Sequence, residues 1–282
     1  MRKIKKIFKW IGKNKVFSLG IFIILACLII GIFAPVLAPY NPATPNPGAR
    51  LTEPFTDPAH ILGTDAIGRD ILSRLMYGIR TSIIIGFFSV LIAAITGTVV
   101  GIVSAFCSPG PIDAILMRIT DVQVGFPFIV LAMIALTLFT PNALSVTIVL
   151  SLALWPVYAR IVRSSVLPQK DADYIAAAKL MGASRWRIAT KYIGKNLLPS
   201  MTPLFPLDIA GMIINESLLS YMSLGINPPK ISIGNIMADA RGYIASDSWY
   251  ILIPGIALII MVLGLNFIGD NLQVHFDPKL RK

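Results

Sequence analysis

Residues 16–38 carry no charged side chain, and four further stretches come close to the same condition: 81–112, 122–159, 197–226, where Asp208 and Glu216 are the exceptions, and 248–269. The first run, 23 residues long, covers roughly 34 Å as a helix rising about 1.5 Å per residue, enough for a hydrocarbon core of about 30 Å. With 55% of the chain hydrophobic and 14% charged, there is more apolar surface than a soluble domain presents. The bilayer is therefore the solvent to which this chain is matched.

Within residues 122–159, Thr140-Pro141-Asn142 is a turn signal that splits the run into two antiparallel helices. Gly86, Ala93, Ala94, Gly97 and Gly101 give the second run a small-residue side suited to close helix packing. The expected fold is all-α, a polytopic membrane protein with six transmembrane helices. The first spans 16–38, and the others about 81–105, 123–140, 142–160, 199–225 and 248–269. Residues 1–15 form a basic tail, 39–80 an external connector whose Pro-rich part (35–58) is non-helical, and 271–282 a second tail. Residues 81–270 make up the core. The basic leader is like the start of a signal peptide, but the apolar run is too long and no A-x-A site follows, so an uncleaved anchor is expected.

A formal charge of +11 could point to a polyanion, but its distribution gives another reading. Six spans put both termini on one side, and 19 of the 25 Lys and Arg fall there, against six opposite (Arg50, Arg69, Arg74, Arg80, Lys230 and Arg241). Lys and Arg favour the cytoplasmic side, so both termini and the 160–195 loop are expected in the cytoplasm. The charge reports topology, and no nucleic-acid partner is expected. Cys27 and Cys107 lie far apart in apolar runs, and His60 and His275 are the only histidines. Neither a disulfide framework nor a metal site is expected, and no cofactor.

The 160–195 loop contains Asp171-Ala-Asp-Tyr-Ile-Ala-Ala-Ala-Lys-Leu-Met-Gly182-Ala-Ser184. Asp171 or Asp173 suits the N-cap of a helix reaching Met181, Gly182 suits a C′ position with positive φ, and Ser184 suits the cap of a second helix. Ala176, Ala177 and Ala178 give the first helix a smooth side. Two short helices joined at a glycine form a knob that can enter a groove on another protein.

Ala177-Ala178-x-x-x-Gly182 resembles the "EAA" loop of ABC importer permeases. Leu62-Gly-Thr-Asp-Ala-Ile-Gly-Arg-Asp70 and Asp113-Ala-Ile-Leu-Met-Arg-Ile-Thr-Asp121 are similar to segments of the C-type permeases of dipeptide, oligopeptide and nickel importers. So are Glu216-Ser-Leu-Leu-Ser-Tyr-Met-Ser-Leu-Gly-Ile-Asn-Pro-Pro229, Asn266-Phe-Ile-Gly-Asp270 and Asp277-Pro278. The resemblance runs in order along residues 1–282. Ala176, Tyr192, Gly194-Lys195 and Ile233 depart from the family's usual acidic residue, His, Leu-Pro and Trp.

The resemblance implies a type I ABC importer permease fold in a prokaryotic inner membrane, without catalysis of its own. It implies four partners: a second homologous permease, two ABC ATPases and an extracellular solute-binding protein. ATPase coupling would fall to the 168–195 loop, through Tyr174, Ala177, Ala178, Met181, Gly182, Ala183 and Ser184. The solute would be a di- or oligopeptide, with nickel or a metal chelate as the alternative. The chain has no GxxxxGK[ST] phosphate loop, so ATP must be held elsewhere.

Asp208 and Glu216, eight residues apart, lie about 80° apart around a helix. Intramembrane carboxylates are costly, so they face either a translocation path, with Asn215 beside them, or a hydrogen-bonding neighbour. Pro199, Pro203 and Pro206 are expected to bend this span or delay its start. On an elbow helix, Asp113 and Asp121 flank Arg118, an arrangement read as a structural Asp–Arg pair. Gly68-Arg69-Asp70 reads as a cap or a subunit contact. An intramembrane enzyme would need a nucleophile with its base or paired metal ligands, which the chain does not offer. A stand-alone secondary transporter would use Asp208 and Glu216 to couple ions but would have no use for a docking knob.

Overall fold

The computed structural model of the chain describes residues 14–140 and 142–276. The expectations placed on the basic leader, on Pro141 and on Asp277-Pro278 lie outside the described residues. Ten helices follow in order: α1 (Lys15–Leu37), α2 (Ile71–Phe106), α3 (Pro111–Gly125), α4 (Phe128–Leu138), α5 (Ala143–Lys170), α6 (Asp173–Leu180), α7 (Gly194–Met201), α8 (Leu204–Tyr221), α9 (Ile233–Asp239) and α10 (Trp249–Phe276). A helical turn at Arg185–Arg187 and a π-helical turn at Ile188–Ile193 lead into α7. Among the described residues the only bridge of β type joins Thr64 to Asp70.

Helices α1, α2, α5 and α10 are each long and apolar enough to cross a membrane. Two bent pairs bring the crossings to six if each pair is one span: α3 with α4 at 95°, and Ile188–Met201 with α8 at 57°. The first bend falls at Phe126-Pro127 and the second at Thr202-Pro203, where a proline has no N–H to continue the ladder. The bend expected in the fifth span is therefore present, and the third span is broken as well.

Helices outrun the charge-free stretches. Helix α2 begins at Ile71 because the Asp70 carboxylate accepts from the Ser73 backbone N–H at 2.8 Å, an N-cap that puts Arg74 and Arg80 on the helix. This is the capping role offered for Gly68-Arg69-Asp70. Helix α5 likewise continues to Lys170. Absence of charge marks where lipid can lie, whereas caps decide where a helix stops.

Small residues set the packing. On α2, a β-carbon at Gly97 would come within 2.5 Å of the Trp155 carbonyl oxygen, and one at Gly101 within 2.6 Å of the Ala159 carbonyl. Helices α2 and α5 thus meet backbone to backbone, as small-xxx-small pairs allow. On α1, Gly20 lies against the Gly264 carbonyl of α10, where a β-carbon would stand 2.8 Å away.

At one end of the bundle the connector is tied down by charge. Asp65, fully buried, accepts from Arg69 and Arg74, and both arginines also reach Asp239 at the end of α9, at 2.8 and 2.7 Å. Gly68, at φ 84°, permits this turn, because a β-carbon there would collide with the Asn46 carbonyl. We call this the connector end. The opposite end carries α6 and is the knob end.

Candidate functional site

The knob is built on the ends of α2 and α5, of which α5 runs past its apolar stretch to Lys170. Ile175, Ile188, Ile193 and Leu197 pack with Ala105, Val162 and Val166 into a separate apolar cluster. Tyr174 donates its hydroxyl to Gln169 at 3.1 Å, and Asn196 donates to the same Gln169 oxygen at 2.8 Å. The knob is thereby fixed to a membrane-crossing helix.

Gly182 ends α6 with φ 79°. The Ala183 N–H reaches the Ala178 carbonyl and the Gly182 N–H the Lys179 carbonyl, each at 3.0 Å, which is a Schellman closure. Ser184 then caps the next turn through the Arg187 N–H at 3.3 Å. The expected acidic cap is not formed: Ala172 occupies the N-cap of α6 with no side-chain bond, and Asp171 closes α5 instead. Helix α5 runs so far that Asp171 is consumed as its C-cap.

The seven residues singled out in this loop do not share one face. Tyr174, Ala177, Met181, Gly182 and Ser184 are exposed and Ala183 is half-buried, but Ala178 is fully buried, on the same side of α6 as Ile175. The smooth side therefore belongs to Ala176 and Ala177, with Ala178 one helical step round on the packed side. Sequence reasoning missed Leu180 and Trp186, which with Met181 are 90%, 77% and 77% exposed around Gly182. Their signal was available: three large apolar side chains flanking a glycine in an otherwise basic loop.

The elbow α3 is pinned to α5. Arg163 donates to both Asp113 oxygens at 2.7 and 2.6 Å, Ser104 donates as well, and Arg160 reaches Asp121 at 2.6 Å. The expected pairing around Arg118 is corrected. Five residues turn a helix by about 140°, which points Arg118 away from Asp113, and the cations come from α5 instead.

In α8 the two carboxylates take different surroundings. Glu216 is fully buried and accepts from Ser82 of α2 and Ser220, both at 2.8 Å. Asp208 is half-buried and accepts from Tyr158 of α5 at 2.6 Å. Asn215 is half-buried with no hydrogen bond among the described residues. Asp208 and Asn215, seven residues apart, differ by about 20° around the helix. They share its open side with Gly211, Leu218 and Met222, while Glu216 turns into the packing with α2.

Comparisons with known proteins fit this architecture. The family described as "Binding-protein-dependent transport system inner membrane component" matches residues 97–282. The N-terminal transmembrane domain of oligopeptide transport permease C matches residues 6–54. The dipeptide transport system permease protein DppC of Haemophilus influenzae is 32% identical over 274 residues, covering 96% of this chain and 92% of that protein. DppC of Alkalihalophilus pseudofirmus is 35% identical over 277 residues, covering 98% and 90%.

Among solved structures, an inward-facing form of the MetNI methionine ABC transporter superposes with a TM-score of 0.60 at 19% identity, over 72% of this chain and 96% of that one. At that identity the likeness is one of fold, the all-α type I importer permease fold. With apolar helices of membrane-crossing length and a family match over most of its residues, the chain is an integral membrane protein belonging to the family of binding-protein-dependent transport system inner membrane components.

Proposed function

We propose that the chain is one permease subunit of an ATP-driven importer of di- and oligopeptides, in a prokaryotic inner membrane. The observation that carries the mechanism is the knob: Leu180, Met181 and Trp186 stand exposed around Gly182 while Ile175 anchors α6 to the ends of α2 and α5. An apolar tip of this kind fits a groove on a separate ATPase, and its rigid seat passes nucleotide-driven motion to the spans. ATP hydrolysis belongs to two such ATPases, since the sequence holds no phosphate loop of its own. A homologous second permease completes the path, and an extracellular solute-binding protein delivers the solute. The peptide assignment follows the names of the dipeptide permeases that the chain resembles.

A cytoplasmic knob and cytoplasmic termini are supported by the bias of 19 basic residues to six. Asp208 and Asn215, on the open side of α8, line the path, and Glu216 holds α8 to α2. The test is uptake of a radiolabelled dipeptide by vesicles containing the chain with its co-expressed partners. Uptake is expected to require ATP and to withstand collapse of ion gradients. Uptake that persists without ATP and stops with the gradient would overturn the reading.

A further inference from the structure

Six basic residues lie at the connector end, and four of them are engaged. Arg69 and Arg74 pair with Asp65 and Asp239, Arg50 donates to the Ala66 carbonyl at 2.7 Å, and Arg241 donates to the Tyr221 carbonyl and lies over its ring. Arg80 and Lys230 have no ion pair or hydrogen bond among the described residues, and both line one cavity of about 830 Å³. No acidic residue lines that cavity.

The cavity has two unlike ends. Arg80, Lys230, Tyr40 and Tyr77 line its upper part together with Pro35 in the last turn of α1, while Ile84 and Ile85 form its wall deeper along α2. Ile84 lies one turn below Arg80, about 6 Å further into the bundle. Arg80 is the last charge before the apolar stretch of α2. This places the basic and tyrosine groups at headgroup level and the apolar wall at acyl-chain level. Two uncompensated cations above a greasy wall match a phosphate that carries hydrocarbon below it.

We propose that this cleft binds the phosphodiester of an anionic phospholipid, its headgroup between Arg80 and Lys230 and its acyl chain along Ile84. The shared chemistry is a phosphate, and the apolar wall distinguishes a lipid from a soluble ion. On the orientation proposed above the lipid belongs to the outer leaflet. Binding itself requires neither that orientation nor transport, so it can fail or stand independently of both.

The test is native mass spectrometry of the full chain, with any subunits that co-purify, released from vesicles of phosphatidylglycerol and phosphatidylcholine in equal parts. Phosphatidylglycerol adducts should be retained preferentially. That preference should fall roughly fivefold in R80Q or K230Q and about 25-fold in the double variant. R50Q, outside the cavity, should leave it unchanged. Ile84→Trp, which fills the apolar wall and keeps both cations, should also reduce retention. Equal retention of the two lipids, an unchanged preference in the double variant, no effect of Ile84→Trp, or displacement of the lipid by millimolar inorganic phosphate would overturn the proposal.

Discussion

Tyr158, fully buried on α5, donates its hydroxyl to Asp208 on α8 at 2.6 Å, so the one half-buried carboxylate of that helix is held from a neighbouring span. Tyr158→Phe leaves Asp208 without its donor and should lower stability in detergent by about 1–3 kcal/mol, read from thermal unfolding. Asp208→Asn keeps an acceptor for Tyr158 and removes the charge. It should leave unfolding close to wild type and reduce dipeptide uptake about tenfold, the effect of about 1.4 kcal/mol of lost interaction. Uptake at the wild-type rate would show that the path does not use the carboxylate.

The Asp113–Arg163 pair joins α3 to α5 through two bonds at 2.7 and 2.6 Å. Arg163→Gln and Asp113→Asn should each destabilise by about 1–3 kcal/mol, with the double variant costing clearly less than the sum. Arg118→Gln should change stability by no more than about 0.5 kcal/mol. A thermal-unfolding double-mutant cycle measures all three. Strictly additive losses would mean that the pair contributes nothing as a pair.

Gly182 has positive φ, yet a β-carbon there meets nothing within 4 Å. Gly182→Ala should therefore cost only about 1–2 kcal/mol for the left-handed backbone and retain uptake. Gly182→Trp should insert into the membrane at normal levels and abolish uptake, because the bulk stands at the proposed ATPase contact. Normal uptake by the tryptophan variant would remove the knob from the mechanism.

Ala178 and Leu180 separate structure from docking within one short helix. Ala178→Leu forces three heavy atoms into a filled contact and should destabilise by about 1–3 kcal/mol. Leu180→Ala trims a side chain that is 90% exposed and should leave stability within about 0.5 kcal/mol, yet lower ATPase co-purification about tenfold. Equal ATPase recovery from Leu180→Ala and wild type would shift the contact away from this tip.

Much of the fold could be read from charge alone. The apolar runs gave the crossings, Pro199, Pro203 and Pro206 together gave a bend in the fifth span, which the structure sets at Pro203, and Gly182 and Ser184 gave the closure and restart of the knob. Each depends on local physics: hydropathy over a span, a missing N–H, a left-handed glycine, a capping hydroxyl. What failed depended on where a neighbour lay. Arg118 lies between Asp113 and Asp121 in sequence, but Arg163 and Arg160 of another helix hold those carboxylates. Asp171 looked free to cap α6 until α5 extended far enough to use it.

The sequence by itself determined that this chain lies in a bilayer and where a glycine-hinged knob interrupts the spans, because both follow from residue type and spacing. Only the tertiary structure decided that Ala178 faces inward while Leu180 and Trp186 face out, and that Glu216 closes into serines while Asp208 and Asn215 stay on the open side of α8. A helix presents every side chain at a known angle, but which angles face a neighbour is set by the helices packed around it. For α8 those neighbours are Ser82 of α2 and Tyr158 of α5, from segments distant in the chain.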